Sequence, residues 1–405
     1  MSSRGRGKAH PYDEFVYTTT GIKKWGDIQI GDYVYGDDGK PTKVINIPFD
    51  DICPIYEITL ANGRKVKCSE GHLWKVKSHC RNSKEFIIIS TKELLQLYKR
   101  PRNNKAGYEL DCTIPIHSAV EFEYKDTKVD PYVFGLLLGD GCFRVPNCNS
   151  KTYFTSSDED FETYKKYIPY NWIKYNNTKC GYNLNIPHFK DILETYGLYF
   201  KKSEEKFIPE EYKINSIDVR INLLKGILDS DGTVTPEGKI EIVITSKKLI
   251  EDIKWICDSL GINYTKERIK HTFYYDKNHN RKKCLDAYRL SIFSNIPLFN
   301  LPRKLEIWNN KPKTNYALSK YKGSKITNIE YIGEQKAKCI TVDNESHCYL
   351  INNFITTHNS FYAAAMLAKR FILGESKEVN KKVVSYITAD DRKYLVGGDQ
   401  TLDKF

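Results

Sequence analysis

The sequence predicts a chain of mixed class, in which an all-β unit is split by an inserted α+β domain. Short alternating runs bounded by turn residues fill residues 9–125 and return at 321–359, and this pattern favours strands. Between them, over residues 126–320, apolar helical segments mix with strands. At "NNFITTHNSFYAAAMLAKRF" the strand pattern changes abruptly to an Ala-rich helix. This seam separates the all-β unit from a different segment, residues 360–405.

Composition narrows the class of protein. The 405 residues are 40% hydrophobic, and no apolar run approaches the ~20 residues that a membrane span requires. The N-terminus "MSSRGRGKAHPYDEF" lacks the apolar core of a secretory signal. The eleven cysteines form no regular framework, which favours a reduced, cytoplasmic protein. A net charge of +12 favours nucleic acid as a partner.

Within the first β-rich stretch, two turn sequences predict hairpins. They are "DDGK" in "GDYVYGDDGKPTKVINI" and "ANGR" in "CPIYEITLANGRKVKCS". One helix is expected at "STKELLQLYKR". The later run "KITNIEYIGEQKAKCITVDNESHCYLINNFITT" again predicts strands only.

Two segments of the insert repeat one pattern. "VFGLLLGDG" at residues 133–141 and "LKGILDSDG" at 224–232 are apolar helices that end in Asp-Gly, a combination that favours a C-cap. Each carries two small residues four positions apart, so two such helices can approach closely. The small residues are Gly135 and Gly139, and Gly226 and Ser230.

The acid at each helix end predicts a metal site. If the helices pair, Asp140 and Asp231 lie side by side, and two close carboxylates require a cation. A divalent metal is the natural partner. On a basic protein this predicts metal-dependent hydrolysis of phosphodiesters, with Mg²⁺ as the expected cofactor.

A basic, aromatic segment follows the second helix. "KERIKHTFYYDKNHNRKKC" at residues 266–284 places seven Lys and Arg around Phe273, Tyr274 and Tyr275. It predicts a two-stranded ribbon. The ribbon is either a solvated hairpin or an arm that lies along DNA with its cations on phosphates.

The paired segments resemble the two motifs of single-chain LAGLIDADG homing endonucleases, over residues 126–320. The resemblance implies that Asp140 and Asp231 hold Mg²⁺ and that each acts on one strand of a long double-stranded DNA site. "KFIP" is similar to a further block of these enzymes, which makes Lys206 a candidate catalytic lysine, with an ordinary surface lysine as the alternative. The resemblance also implies a monomer.

The seam has a chemical interpretation besides a simple turn. The Asn359 amide can attack its own backbone carbonyl and break the bond to Ser360, and His358 can assist the proton transfers. The Ser360 hydroxyl can carry an acyl group as an ester. These are the steps needed to release a segment that ends at residue 359.

The all-β unit resembles an intein, the protein-splicing element with the horseshoe-like HINT fold. "ANGRKVKCSEGHLW" is similar to the second splicing block, with Ser69 and His72 in its pattern, and "AKCITVDNESHCYL" and "FITTHN" are similar to the C-terminal blocks. The resemblance implies a splicing domain made of residues 9–125 and 321–359.

The first splicing block begins with Ala9, where an intein normally has a Cys or Ser nucleophile. Either a Cys has been replaced by Ala, or this is a class 3 intein, a class that lacks the first nucleophile. A Trp-Cys-Thr set resembling that class is present in Trp74, Cys339 and Thr357. The set favours class 3, and it implies that Thr357 orients Cys339 or His358.

The class 3 resemblance implies the first step. Cys339, as thiolate, attacks the carbonyl of Lys8. His72 polarises the scissile amide and protonates the leaving amine of Ala9, while Ser69 and backbone N–H groups supply the oxyanion site. No cofactor is required.

The later steps follow from the seam. The Lys8 acyl group passes to the Ser360 hydroxyl, and Asn359 cyclises with help from His358. The ester then rearranges to an amide. The two cleavage sites are therefore Lys8–Ala9 and Asn359–Ser360, and splicing joins Lys8 to Ser360.

Splicing creates "GRGKS" in front of a helix, from the flanking segments 1–8 and 360–405. This resembles the phosphate-binding loop of phage terminase large subunits, with Lys8 on phosphate and Ser360 on Mg²⁺. Ser2 departs from the usual Gly of that loop. The chain is expected to be a piece of such an ATPase, located in the cytoplasm of an infected or lysogenic host cell, with the host segments as partners in cis.

Three functions compete at this point. The first is a self-splicing intein with an inserted endonuclease. The second is a splicing-impaired precursor, with Ala9 in place of a nucleophile, that retains only DNA cleavage. The third is a P-loop ATPase with a large insert, against which Ala9 and the Asn359–Ser360 seam both argue.

Overall fold

The computed structural model describes residues 8–78, 86–98, 112–143, 151–175, 180–275, 280–310 and 323–358. The expected loop residues 1–7, the seam residues Asn359 and Ser360, and the Ala-rich helix expected after the seam lie outside these ranges. Within them, no helix is both long and apolar enough to cross a bilayer.

Strands from both ends of the chain form one twelve-stranded sheet, here the all-β unit. Numbered in chain order, its strands are β1 (His10–Pro11), β2 (Phe15–Thr18), β3 (Gly21–Lys24), β4 (Tyr33–Tyr35), β5 (Pro41–Leu60), β6 (Lys65–Ser69), β7 (Leu73–Ser78), β8 (Ile87–Ser90), β9 (Cys112–Pro115), β21 (Gly323–Val342), β22 (Cys348–Ile351) and β23 (Ile355–His358). The central order is β22-β23-β7-β9-β21-β5-β4-β2-β3, with β1 on β21, β6 on β5 and β8 on β7.

Two strands of 20 residues each, β5 and β21, pair antiparallel and form the spine of this unit. The register between them shifts at several points, and such bulges bend long strands. The short strand β1 pairs with β21 through His10↔Lys338 and Pro11↔Ala337. Continuing this antiparallel register by one residue sets Ala9 opposite Cys339.

The turns expected from the sequence are present. "DDGK" joins β4 to β5, and "ANGR" joins β5 to β6. Gly39 and Gly63 adopt φ of 82° and 88°, the left-handed region that glycine enters without steric cost. The expected helix is α1 (Thr91–Tyr98).

The remaining elements form the insert. Its helices are α2 (Pro131–Asp140), α3 (Asp158–Tyr164), α4 (Phe189–Tyr196), α5 (Glu210–Lys213), α6 (Ile217–Asp231), α7 (Lys247–Ser259) and α8 (Pro302–Asn309). Its strands are β10 (Gly141–Cys142), β11 (Lys151–Thr155), β12 (Asn171–Lys174), β13 (Gly181–Asn185), β14 (Gly232–Val234), β15 (Ile240–Ile244), β16 (Asn263–Tyr264), β17 (Arg268–Lys270), β18 (Phe273–Tyr275), β19 (Arg281–Lys283) and β20 (Ala287–Phe293).

The insert has an internal repeat of helix followed by antiparallel sheet. Strands β10-β11-β13-β12 follow α2, and β14-β15-β20-β16, with β17 on β20, follow α6. Strands β18 and β19 form a separate ribbon within residues 266–284. A single apolar core joins α2 and α6 to both sheets, whereas the all-β unit has a core of its own.

The two repeated helices pack closely, as their small residues predict. A Cβ at Gly135 would collide with the Leu223 carbonyl, and one at Gly226 would collide with the Tyr132 carbonyl. The caps differ from the expectation. Gly141 and Gly232 are extended, with φ of −86° and −83°, so neither forms a left-handed cap. Each instead begins a strand, and a Cβ there would press on the preceding helical turn.

Candidate active sites

The peptide bond between Lys8 and Ala9 is held at both of its polar atoms. The Ala9 N–H donates to Ser69 Oγ at 2.8 Å, and the Ser69 N–H donates back to the Ala9 carbonyl at 2.8 Å. His72 Nδ1 lies 3.1 Å from the Lys8 carbonyl oxygen. Ala9, Ser69 and His72 are all buried. Excluding water from a peptide held in this way strengthens every polar contact to it.

These contacts differ in detail from the sequence expectation. Ser69 was expected near the developing oxyanion, but its hydroxyl contacts the amide nitrogen of Ala9. His72 was expected to polarise the scissile amide and to protonate the leaving amine; its ring faces the carbonyl oxygen of Lys8, whereas the Ala9 nitrogen bonds to Ser69. With a proton on Nδ1, His72 is the group placed to stabilise negative charge on that oxygen.

Thr357 and Trp74 both contact the His72 ring. Because the Lys8 carbonyl can only accept, Nδ1 carries the proton, and the Thr357 hydroxyl donates to Nε2. Trp74 packs edge-on at 4.8 Å between ring centroids. The Trp74 indole donates to Thr91 Oγ1 at 3.0 Å. Burial lowers the pKa of His72 well below its usual value, so the ring is neutral near pH 7.

Cys339 lies beside the scissile peptide. It is buried, it shares a small apolar cluster with Ala9, and the β1–β21 register sets it opposite that residue. Burial raises the pKa of its thiol to about 12, which the Lys8 ammonium only partly opposes. The resting group is therefore the thiol, and the thiolate that is expected to attack forms only when its proton is transferred.

His358 directly precedes the C-terminal cleavage site that the sequence predicts. This residue is buried and pairs with Cys348 and Leu73 across neighbouring strands. Its Nδ1 has no hydrogen-bond partner among the residues that the structure describes. Burial lowers the pKa of His358 to about 4, so it is a neutral group that can take up a proton from Asn359.

Two histidines near these sites were missed in the sequence. His10 lies 4.2 Å from the His72 ring, and its Nε2 is 3.4 Å from the Thr357 hydroxyl. His347 faces His358 with ring centroids 6.4 Å apart. His10 is the second residue after the scissile bond, and this position was a usable signal in the sequence. His347 gave no such signal, because it lies eleven residues before His358 and only the β22–β23 hairpin brings the two rings close.

The second site lies where α2 and α6 end together. Burial raises the pKa of Asp140, with Lys206 and Lys304 opposing the shift. Burial, and then repulsion from Asp140, raise the pKa of Asp231 to about 6. The two acids thus interact directly, as their helix positions predict. Two dehydrated carboxylates that repel each other fit a divalent cation.

A buried lysine closes each helix end. Lys206 Nζ donates to the carbonyls of Leu137, Leu138, Gly139 and Gly141 at 2.8–3.1 Å. Lys304 Nζ donates to those of Leu228 and Asp229 at 2.9 and 2.6 Å. Lys206 is therefore not a surface lysine. Lys304 is its counterpart in the second half and was missed, although "NLPRK" offers a Lys near a Pro as "KFIP" does.

The basic ribbon has the expected hairpin form. β18 and β19 pair through Phe273↔Lys283 and Tyr275↔Arg281, and the tip at residues 276–279 lies outside the described ranges. The Arg281 guanidinium stacks on the Phe273 ring at 3.7 Å. Neighbouring β17 is exposed along its length. The ribbon is thus a cationic surface that projects from the second half of the insert.

Comparison with known proteins gives one family match. A family model described as "Homing endonuclease" matches residues 207–318. The replicative DNA helicase DnaB of Mycobacterium intracellulare is 25% identical over 375 residues, which is 88% of this chain. The chain spans 59% of the length of that helicase.

Solved structures of two kinds are similar. A gp41-1 intein aligns with 12% identity, over 87% of this chain and all of its own, at a TM-score of 0.26. The Msm DnaB1 intein splicing domain bound with zinc aligns with 10% identity over the same shares, at 0.27. The homing endonuclease I-DmoI in complex with DNA and Ca aligns with 14% identity, over 45% of this chain and 97% of its own, at 0.27. Over residues 207–318 the chain is therefore similar to homing endonucleases.

Proposed function

We propose that this chain is a self-splicing intein, residues 9–359, that uses Cys339 as its first nucleophile and carries a DNA homing endonuclease as an insert. One observation carries the splicing assignment. The Lys8–Ala9 peptide is hydrogen-bonded at its nitrogen by Ser69 and at its oxygen by His72, and the buried Cys339 lies beside it. A peptide with a purely structural role would not require these three side chains around it.

The first step follows from this arrangement. Cys339 Sγ attacks the Lys8 carbonyl carbon and forms the C–S bond. Negative charge develops on the carbonyl oxygen, where the His72 Nδ1–H donates. As the C–N bond breaks, the thiol proton is transferred overall to the nitrogen of Ala9, which leaves as an amine. Ser69, already bonded to that nitrogen, holds it during the transfer.

The remaining steps involve Asn359 and Ser360, which lie outside the described residues. The thioester passes to the Ser360 hydroxyl, and Asn359 cyclises to a succinimide with His358 as the proton acceptor. The amine of Ser360 then attacks the ester, and an amide joins it to Lys8. Because His358 is neutral and buried, it is suited to this proton transfer.

The class 3 assignment is supported by the environment of His72. Trp74 and Thr357 both contact this ring, so the Trp-Cys-Thr set surrounds one peptide bond. The competing proposal is a splicing-impaired precursor in which Ala9 replaces a nucleophile. The host segments 1–8 and 360–405 are proposed to form a P-loop ATPase after ligation. A terminase-like subunit is the proposal from the sequence, and the DnaB match adds a helicase as the second candidate.

The endonuclease assignment is supported by the acid pair and by the family match over residues 207–318. Asp140 and Asp231 would hold Mg²⁺, which when bound supplies Lewis-acid stabilisation of the departing phosphate oxygen. Lys206 and Lys304 keep positive charge beside that position. The exposed ribbon supplies cations for the phosphates of double-stranded DNA.

Expression of the chain followed by mass spectrometry tests splicing. The expected products are an excised chain of residues 9–359 and a ligated chain containing "GRGKSFY". Cys339→Ala should leave only the precursor, while the matched control Cys53→Ala, a buried cysteine in the same cluster, should splice. Asn359→Ala should accumulate a branched or N-terminally cleaved species. Ligated product from Cys339→Ala would contradict the assignment of the nucleophile.

A further inference from the structure

We infer that helix α7 of the insert is part of the splicing machinery, in which Trp255 and Asp258 position the C-terminal splicing hairpin. The inference rests on the proposed splicing function and concerns how its site is held. The hairpin β22–β23 carries Thr357, which bonds to His72, and His358, which precedes Asn359. Its turn, residues 352–354, packs against α7.

The turn has an unfavourable backbone. Asn352 and Phe354 have φ of 50° and 55°. Asn tolerates the left-handed region, but a Phe there is a steric outlier. Such a conformation persists only when the surroundings impose it. Whatever holds Phe354 therefore controls the geometry of the strand that follows it.

Phe354 is held by an aromatic cluster from both parts of the chain. It stacks on Tyr17 of the all-β unit at 4.5 Å and packs edge-on against Trp255 of α7 at 5.4 Å. The Trp255 indole donates to the Tyr17 hydroxyl at 2.6 Å. Phe122, in the segment that leads into the insert, closes the cluster by stacking on Trp255. The insert thus supplies one wall of the Phe354 pocket.

A buried ion pair holds the next residue of the turn. Arg64, from the "ANGR" turn, donates to the Asn353 carbonyl at 2.9 Å and pairs with Asp258 of α7 at 3.1 Å. Asp258 also accepts from the Tyr264 hydroxyl at 2.7 Å. Both partners of the ion pair are almost fully buried, so removing one leaves the charge of the other buried and unpaired. Asp258 therefore holds the Arg64 guanidinium in place, and the guanidinium in turn holds the Asn353 carbonyl of the turn.

A third contact ties α7 to the C-terminal site by another route. The Val120 N–H donates to the carbonyl of Ser259, the last residue of α7, at 2.8 Å. Two residues earlier, the Ser118 N–H donates to the Asp37 carbonyl at 2.9 Å. The Asp37 carboxylate accepts from Ser346 in the loop before β22. Residues 118–120, which lead into the insert, therefore contact α7 on one side and, through Asp37, the loop before β22 on the other.

Together these contacts make the insert a positioning element. If the Trp255 ring or the Asp258 charge is removed, the turn at residues 352–354 can change to a backbone conformation without steric strain. The shift then reaches Thr357 and His358, three and four residues after Phe354. The chemistry of the endonuclease is not involved, so splicing depends on the presence of α7 and not on Asp140 or Asp231.

The test compares splicing rates of Trp255→Ala and Asp258→Asn with two matched controls. Trp172→Ala removes a partly exposed tryptophan on β12, and Asp160→Asn breaks an ion pair with Arg303 inside the insert. We expect both α7 variants to splice at least about tenfold more slowly, the factor that about 1.4 kcal/mol of lost positioning produces. The controls should splice at the parent rate. Trp255→Phe should recover most of the loss.

Two further measurements separate positioning from misfolding. Mg²⁺-dependent cleavage of the DNA target reports that the insert of each variant is folded. Thiol-induced release of the N-terminal segment, measured beside succinimide formation at Asn359, shows which step has slowed, and we expect the larger loss at Asn359. If Trp255→Ala loses DNA cleavage, the nearly isosteric Asp258→Asn decides the question.

Parent-like splicing in Asp258→Asn, or in a Trp255→Ala that still cleaves DNA, would overturn the inference. A parent chain that never splices would instead refute the proposed function itself.

Discussion

Thr357 and His72 are 285 positions apart in the chain, yet the hydroxyl of one bonds to the imidazole of the other. At the scale of single residues, this contact determines the chemistry of the first site. The Lys8 carbonyl can only accept, so its contact places the proton on His72 Nδ1, and the Thr357 hydroxyl then donates to Nε2. Trp74 and His10 pack around the same ring and restrict its rotation.

Thr357→Val keeps the shape of the side chain but removes the hydroxyl. His72 Nε2 then loses its hydrogen-bond donor, and a buried ring nitrogen is left unsatisfied. Such a loss costs about 1–3 kcal/mol, which predicts splicing slower by about 5- to 150-fold. Thr356→Val, at the next position, is the control because its hydroxyl makes only a 3.4 Å contact to the Pro115 carbonyl. Equal rates for the two variants would remove Thr357 from the site.

At the scale of elements, the contact between α2 and α6 is made backbone to backbone. Gly226→Ala inserts a methyl group against the Tyr132 carbonyl and the backbone of the Gly135 turn. Helix propensity favours Ala, but overpacking of this kind costs about 1–3 kcal/mol. We therefore expect a lower free energy of unfolding for the insert, together with slower DNA cleavage as the two acids separate.

Lys225→Ala, one position earlier on α6, is the control for that substitution. Urea unfolding followed by tryptophan fluorescence measures both variants. Parent-like stability and DNA cleavage in Gly226→Ala would show that the helices have room to move apart at no cost.

A buried acid directly before β2 makes stability depend on pH. Glu14 bonds to the Asn352 amide, and burial raises its pKa from 4.5 to about 7. Between these values the folded chain holds a proton that the unfolded chain has released, so stability falls as the pH rises from about 4.5 to about 7. The full effect is on the order of 3 kcal/mol.

Glu14→Gln, which stays neutral, should remove this dependence and be more stable than the parent at pH 7.5. Thermal unfolding of both chains between pH 5 and 8 measures the difference. Parallel curves for the two proteins would mean that Glu14 does not titrate in this window.

At the scale of the whole molecule, two candidate active sites are built on separate apolar cores. The proposed splicing residues come from β1, β6, β7, β21 and β23, whereas the acid pair ends α2 and α6. The chemistry of one site therefore does not need that of the other, although α7 packs on the splicing hairpin.

A chain carrying both Asp140→Asn and Asp231→Asn should splice at the parent rate but lose DNA cleavage. Its DNA affinity should change little, because phosphate contacts supply most of the binding free energy. For parent and variant alike, log affinity should fall with log salt by about 0.9 per phosphate neutralised. Cleavage of an uninterrupted host gene by this double variant would show that other residues hold the metal.

The sequence by itself determined which chemistry we propose for this protein. Asn359 before Ser360, Ala9 at the start of the all-β unit and an acid at each of two repeated helix ends each favour one proposed reaction without reference to the fold. The small-residue spacing of α2 and α6 likewise predicted their close contact, since helix geometry fixes which residues share a face.

Only the tertiary structure decided which atoms meet. His10 and Lys304 were missed, and the Ser69 hydroxyl contacts the Ala9 nitrogen where an oxyanion contact was expected. The physical reason is that sheet register and bulges, which no local pattern encodes, set those distances. The raised pKa of the Cys339 thiol also required the structure, since burial and not residue type causes the shift. The contact between α7 and Phe354 joins segments about a hundred residues apart in the chain, and sequence periodicity cannot predict such a contact.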